Sequence, residues 1–285
     1  GEYKKGKSHG LGTFTYENGS RYFGEFKDGK PNGFGASFLP DGGGFFGKYV
    51  DGAPSGIGYI RTPKNEFDFG EWKGYEITRR IKKCDDAISH CIGIIKNSKN
   101  DMYYGELKNK NINGIGTTIF ASPKDIYNGE HRNNSIEGFG LMSFEDGRIY
   151  FGQYVDNGQE GRGMMIFTNG GFFIGEWKND APSSGTMTFD DGTKYIGELK
   201  NGRQNGFGIM IHPNGTKYEG EWKDDKRHGF GLVKYYNSER KSDGSWKGEF
   251  KEGKRYKGKL IFPDGTEVDS DEDTFNELVE ELKKN

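Results

Sequence analysis

Tyr218-Glu219-Gly220-Glu221-Trp222-Lys223, continuing to Gly229-Phe230-Gly231, contains the pattern from which the fold can be predicted. Its pattern of an aromatic residue, a glycine, an acidic residue and a bulky residue recurs at intervals of about 23 residues. The glycines that anchor the pattern are Gly1, Gly24, Gly47, Gly70, Gly105, Gly129, Gly152, Gly175, Gly197, Gly220 and Gly248. A register kept over the whole chain predicts one unit stacked many times, with function in a repetitive surface rather than a single cleft.

Each repeat reads as a β-hairpin. In one repeat, Tyr22-Phe23-Gly24-Glu25-Phe26-Lys27 is typical of a strand, Asp28-Gly29-Lys30 of a turn, and residues 33–38 of a second strand. The sequence therefore predicts an all-β fold, an elongated and twisted antiparallel sheet of about eleven stacked hairpins over residues 1–268.

Bulky side chains two residues before and two after each anchor glycine lie on one face of a strand. We expect these rings to form ladders that replace an ordinary core, with the anchor glycines leaving room for rings from adjacent strands. We also expect part of this face to be an exposed aromatic groove that binds a partner. The candidate partner-binding residues are Tyr22, Phe26, Tyr49, Trp72, Tyr150, Tyr154, Trp177, Tyr218 and Trp222.

Most anchor glycines are followed by glutamate, as in Glu25, Glu106 and Glu221. These carboxylates are predicted to lie on the opposite face, in water, paired with the lysine two residues later, such as Lys27 or Lys223. No segment resembles the alternating oxygen ligands of a calcium loop. The chain is predicted to bind no metal and no cofactor.

Composition excludes several classes of function. The 41 basic and 43 acidic residues give a net charge of −2, which argues against a nucleic-acid partner. The chain has only two cysteines and 5 histidines and no convergent catalytic constellation, so it is not expected to be an enzyme. Cys84 and Cys91 are predicted to be buried, inert thiols in a reducing, cytoplasmic compartment.

The repeated pattern resembles the MORN repeat, the membrane occupation and recognition nexus motif. The resemblance covers residues 1 to about 268 and includes the paired glycines, such as Gly229 and Gly231. It implies an extended sheet of hairpins, a non-catalytic binding surface and a role in cytoskeletal or membrane-associated scaffolds. Similar proteins include ciliary radial spoke heads, junctophilins and the amino-terminal regions of some lipid kinases and a lysine methyltransferase.

The register is interrupted within residues 74–87. Apolar residues at Ile77, Ile81, Cys84 and Ile88 have helical spacing, which predicts a short helix over the sheet. The opposite, basic side of this helix consists of Arg79, Arg80, Lys82 and Lys83. It is either solvated or a docking element for an acidic partner or lipid headgroups. Cys84, His90 and Cys91 lack a suitably spaced fourth ligand for zinc.

The last part of the chain departs from the repeat. Residues 236–245 are predicted to be an enlarged, solvated turn, and residues 269–285 an acidic linker followed by an amphipathic helix. The apolar side of that helix consists of Phe275, Leu278, Val279 and Leu282. It either caps the last hairpin or docks on a partner or on a second copy of the chain.

These observations favour a protein-binding scaffold whose groove accepts an extended or helical segment. The resemblance implies a cytoskeletal setting, which includes the cilium and its axoneme. One alternative is a membrane-associated module that binds acidic phospholipids. A second is a regulatory repeat region of a larger lipid kinase or lysine methyltransferase; the absence of an initial Met leads us to expect flanking segments.

Overall fold

The computed structural model of the chain describes residues 1–64, 66–82, 84, 90–236 and 244–277. These residues are almost entirely β-structure. The strands are β1 (Tyr3–Lys4), β2 (Lys7–Ser8), β3 (Gly10–Thr15), β4 (Arg21–Lys27), β5 (Lys30–Phe38), β6 (Gly44–Val50), β7 (Ala53–Arg61), β8 (Phe67–Lys73), β9 (Glu76–Arg80), β10 (His90–Lys96), β11 (Met102–Lys108), β12 (Asn111–Ile119), β13 (Ile126–Arg132), β14 (Ser135–Ser143), β15 (Ile149–Val155), β16 (Gly158–Ile166), β17 (Phe172–Lys178), β18 (Ala181–Thr188), β19 (Lys194–Lys200), β20 (Arg203–Ile211), β21 (Lys217–Lys223), β22 (Lys226–Lys234), β23 (Ser245–Lys251), β24 (Lys254–Ile261) and β25 (Glu267–Ser270).

The predicted hairpins are present and antiparallel. In one of them, β4 pairs with β5 from Arg21 opposite Phe38 to Lys27 opposite Lys30. The turn residues Asp28 and Gly29 both have positive φ, 51° and 90°, which matches the twist of the two strands. The all-β class and the hairpin repeat are therefore confirmed.

The chain divides into two compact units. Unit 1 comprises residues 1–168 and 177–180, and unit 2 comprises residues 169–176 and 181–285. In unit 1, β3 to β9 form a seven-stranded sheet in chain order, and β10 to β16 also pair in chain order. In unit 2, β18 to β25 pair in chain order.

The two sheets of unit 1 face each other, with β5 against β14 and β7 against β12. Phe34 stacks on Phe139 across the interface, with ring centroids 6.5 Å apart. The Tyr59 hydroxyl donates to Asn128 Oδ1 at 2.7 Å and lies 2.8 Å from Thr117 Oγ1. Unit 1 thus contains two facing sheets where the sequence predicted one continuous sheet, because apolar residues on the second face of each sheet are buried against the other sheet.

The insertion also differs from its prediction. Residues 76–80 form strand β9, which pairs with β8, instead of the first part of a helix over residues 74–87. Cys84 and Cys91 form a disulfide bond, so the expectation of two free thiols is wrong. The inference of a reducing compartment rested on those thiols and loses that support.

At the end of unit 2, residues 272–277 are helical. Asp271 caps this helix, since its Oδ1 accepts from the Thr274 backbone N–H at 3.0 Å and from the Thr274 hydroxyl at 2.6 Å. The predicted enlarged turn at residues 236–245 lies largely outside the described residues. Among the described residues, no helix is both long enough and apolar enough to cross a membrane.

Candidate functional site

The candidate site is the face of each sheet that carries the aromatic rows, which we call the ring stack. The tyrosine two residues before an anchor glycine lays its ring over that glycine and over the glycine opposite it on the next strand, as Tyr150 does over Gly152 and Gly163. A Cβ added at Gly163 would lie 2.6 Å from two ring carbons of Tyr150, far inside van der Waals contact. Because both of these facing positions are glycine, the ring can lie flat on the sheet.

The polar atoms of these rings bond to the backbone beneath them. The Tyr127 hydroxyl donates to the Glu130 carbonyl at 2.9 Å. The corresponding bonds join Tyr22 to Glu25, Tyr103 to Glu106, Tyr150 to Gln153, Tyr195 to Glu198 and Tyr218 to Glu221. Trp72 and Trp222 donate from Nε1 to the carbonyls of Gly58 and Gly208. The rings are thus fixed in orientation as well as packed.

Burial raises the pKa of five of these tyrosines, to about 12 for Tyr195; the others are Tyr22, Tyr103, Tyr127 and Tyr218. The hydroxyls therefore stay protonated at neutral pH, as donors to the backbone carbonyls. His131 occupies a row position that is otherwise mostly aromatic, between Tyr103 and Tyr127, and burial lowers its pKa to about 4. The ring stack is consequently uncharged at neutral pH at these positions.

All nine predicted partner-binding rings lie in the ring stack, and all are buried. Tyr22, Phe26, Tyr49 and Trp72 pack in one cluster together with Phe45. Tyr150 meets Tyr154 and Trp177 edge to face, and Tyr218 meets Trp222 in the same way. The expectation that these rings are exposed is therefore wrong, because each ring is covered by the next ring in the row.

An open groove nevertheless runs above the rings of unit 2. This unit 2 groove has a volume of about 350 Å³. Buried Tyr195 and Trp222 form part of its lining, together with half-buried Met187 and Met210 and with Phe189, which is 36% exposed. The groove is apolar and accessible, which suits the side chains of a bound segment.

A similar groove lies on the ring stack of unit 1. This unit 1 groove, of about 210 Å³, is lined by the apolar residues Ile95, Met102, Tyr103, Ile112, Phe120 and Ile136, with His131 and several polar residues beside them. The ring face therefore carries a groove in each unit, mainly apolar in unit 2 and about half polar in unit 1, and the buried rings themselves supply only part of the lining.

The glutamates after the anchor glycines have a structural role that sequence reasoning missed. At this position each strand has a β-bulge, and Glu130 Oε2 accepts from the Phe139 backbone N–H of the next strand at 2.8 Å. Glu25, Glu106, Glu198 and Glu221 do the same for Phe34, Ile115, Phe207 and Phe230. The prediction that these carboxylates are free in water and paired with lysines is therefore wrong for these five residues.

We expect Glu130→Ala to destabilise unit 1 by about 1–2 kcal/mol, because the Phe139 N–H loses its acceptor. Glu130→Gln should cost less than about 0.5 kcal/mol, since Gln153 Oε1 fills the same role for the Arg162 N–H at 2.9 Å. Urea denaturation of the three proteins measures the differences. Equal losses for the alanine and glutamine variants would contradict this role.

The basic segment lies on and beside β9. Arg79 forms an ion pair with Glu71 at 3.3 Å, and Arg80 forms one with Asp68. Lys82 lines a shallow cavity with both arginines, and Lys83 lies outside the described residues. Two of the four predicted basic residues are thus already neutralised by carboxylates of the neighbouring strand.

Phe275 of the terminal helix is buried against the last hairpins. Its ring stacks on Tyr235 at 5.6 Å, and the Arg255 guanidinium lies 3.6 Å from its centroid. Arg255 also pairs with Glu272 at 3.1 Å. These contacts fit the capping alternative, whereas Leu278, Val279 and Leu282 lie outside the described residues.

The opposite face of unit 2 carries a second feature that sequence reasoning missed. Phe207 and Phe230, each between two paired glycines, are 52% and 71% exposed. Ile196 beside them is also exposed. The sequence does contain a signal for this exposed patch: the residue between the paired glycines is apolar in these two repeats, although this face was predicted to be polar. Within the described residues, no group of three or more potential ligands has the arrangement of a metal site.

The sequence profile of the MORN repeat matches residues 1–21, 22–44, 150–172, 173–194, 195–217 and 218–240. Three hairpins between residues 45 and 149, β6–β7, β11–β12 and β13–β14, also have the paired glycines and the bulge. No curated protein matches the chain.

Among solved structures, the chain is similar to the TCP10 domain of Danio rerio CPAP in complex with a peptide of Danio rerio STIL. The identity is 12%, the TM-score 0.35, and the match covers 92% of this chain and 99% of that one. A structure of the microcephaly protein CPAP G-box domain gives 9% identity and a TM-score of 0.33, covering 92% and 98% of the two chains. Similarities this weak carry no argument about function.

Proposed function

We propose that this chain, which carries six MORN repeats, is a non-catalytic scaffold that binds a segment of another protein on its ring stack. The observation that supports it is the open groove above the rings of each unit, and above all the mainly apolar groove of unit 2. The floor is rigid, because the rings are buried and their polar atoms are bonded to the backbone. A preformed apolar groove reduces the ordering cost of binding.

The partner that fits the unit 2 groove is an extended or helical segment with apolar side chains at its contact positions. Met187 and Met210 flank Tyr195 from the two neighbouring strands, so flexible thioethers lie beside a rigid ring. Methionine adapts to differently shaped side chains. This arrangement suits recognition of a hydrophobic segment more than recognition of a charged one.

We place this scaffold in a cytoskeletal assembly, with the cilium and its radial spokes as a narrower setting. The support is the resemblance of the repeats to those of cytoskeletal scaffolds. Acidic phospholipids are a less well supported ligand, because Arg79 and Arg80 already pair with Glu71 and Asp68. A role as the regulatory region of a larger enzyme rests on the resemblance alone.

The test is affinity purification with the wild-type chain and with Met210→Glu, followed by quantitative mass spectrometry. A carboxylate beside Tyr195 should lower recovery of specific protein partners by at least about tenfold, because it would be desolvated in an apolar groove. Met210→Leu preserves the apolar surface and should retain the partners.

A second matched control lies on the same strand. Ile211→Glu changes the adjacent residue, which lies on the opposite face of β20 at the end of the strand, and should leave partner recovery unchanged. Recovery unaffected by Met210→Glu, together with salt-sensitive binding to vesicles containing acidic phospholipid, would contradict the proposal and favour the lipid alternative.

A further inference from the structure

The face of unit 2 opposite its ring stack, which we call the outer face, carries apolar side chains that are exposed to solvent. Five side chains form the patch: Ile196, Phe207, Ile209, Phe230 and Leu232. Ile196 is 41% exposed, the two phenylalanines are more exposed, and Ile209 and Leu232 are half-buried. Glu219 and Glu221 of β21 lie between the residues of β20 and those of β22, so the patch has two apolar halves around these carboxylates. Exposed apolar residues grouped in this way mark an interaction surface.

The equivalent positions in unit 1 show what covers such a face. Phe34 lies between two paired glycines, as Phe207 and Phe230 do, and it is 3% exposed. It is covered by Phe139, which itself lies between paired glycines of the facing sheet. In unit 1 this repeat face is therefore covered by another sheet of the same repeat, and like positions meet.

We propose that the outer face of unit 2 docks against the outer face of unit 2 in a second copy of this chain. The facing strands in unit 1 run in opposite order, with β5 against β14 and β7 against β12. A two-fold axis over β21 reproduces that order between two copies. It brings Phe207 on β20 of each copy against Phe230 on β22 of the other, so each contact occurs twice.

The charges on this face are compatible with burial in such an interface. Glu219, in the centre of the patch, forms an ion pair with Lys217 at 2.9 Å. The Glu221 carboxylate accepts from the Phe230 backbone N–H at 3.0 Å. Each carboxylate therefore has a partner within its own chain, which limits both the cost of removing it from water and its repulsion from the β21 glutamates of the other copy across the axis.

Sedimentation velocity on the full chain tests the proposal. The wild type is expected to form dimers at concentrations of about 10 μM, since a patch of this size suits a modest affinity. Phe207→Lys and Phe230→Glu should each weaken association by at least about thirtyfold, because each places a charge in an apolar contact. Phe14→Glu, at a phenylalanine of similar exposure (48%) in unit 1, should leave it unchanged.

Mixing the two variants tests the register. A pair made of one Phe207→Lys chain and one Phe230→Glu chain has a lysine facing a glutamate at one contact and two phenylalanines at the other. The mixture should therefore associate at least about tenfold more tightly than either variant alone. Circular dichroism of each variant shows whether the sheets are intact.

A wild-type chain that stays monomeric at about 100 μM would overturn the proposal. Dimers that persist in Phe230→Glu, with its circular dichroism spectrum unchanged, would overturn it as well. The self-association does not depend on the partner-binding groove, because Met210→Glu alters the other face of the sheet and should leave the dimer intact.

Discussion

Gly163→Ala is expected to destabilise unit 1 by about 3 kcal/mol. The added Cβ would lie 2.6 Å from two carbons of the Tyr150 ring, and that ring is fully buried between its neighbours. The ring can move away only by losing its edge-to-face contacts with Tyr154 and Trp177. The free energy of unfolding, measured by urea denaturation with tryptophan fluorescence, reports the loss.

The matched control is Gly158→Ala on the same strand. Its added Cβ would lie no closer than 3.5 Å to any atom, which is ordinary contact. Neither glycine has a positive φ, so the comparison isolates the clash with the ring. We expect a change of less than about 0.5 kcal/mol for the control. Similar losses for both variants would contradict the account of the paired glycines.

Acidification is expected to destabilise unit 1 through His131. This side chain is 6% exposed, and burial lowers its pKa from 6.5 to about 4. The unfolded chain therefore binds a proton at a higher pH than the folded chain does. The stability contributed by the neutral imidazole is complete above pH 6.5 and is lost as the pH falls towards 4, by about 3 kcal/mol in total.

His131→Tyr is the control variant. Tyr154 holds the corresponding position in the next repeat and packs on Tyr150 of its own strand at 5.3 Å, close to the 5.0 Å distance between His131 and Tyr127. Carboxylates titrate in both proteins, so the difference between their pH profiles isolates the histidine. The profiles from urea denaturation should diverge below pH 6.5, with the wild type less stable; parallel profiles would show that His131 remains neutral or is solvated.

The hairpins were predictable because they depend on local chemistry. Asp28-Gly29 specifies a tight turn, and the alternation around Gly24 places Tyr22 and Phe26 on one face. The structure confirms both features. The role of Glu130 was not predictable in the same way, because a β-bulge changes the direction of its side chain relative to strict alternation.

The insertion shows how neighbours override a local pattern. Ile77 and Ile81 have helical spacing, yet residues 76–80 pair with β8 because that strand offers a free row of backbone hydrogen-bonding groups. Ile77 packs on the cluster that contains Trp72. The disulfide between Cys84 and Cys91 likewise depends on how the backbone brings the two residues together, and their separation in sequence carries little information about that.

The repeat, its register, the hairpins and the rows of rings over paired glycines can all be predicted from the sequence alone, since each depends on contacts within one repeat or with the next. What covers the second face of each sheet, in contrast, is known only from the tertiary structure. In unit 1 that face is buried, as at Phe34 and Tyr59, whereas in unit 2 Phe207 and Phe230 are exposed. When two sheets face each other, they bring together residues about a hundred positions apart, such as Phe34 and Phe139. A sequence period of about 23 residues carries no information about contacts at that separation.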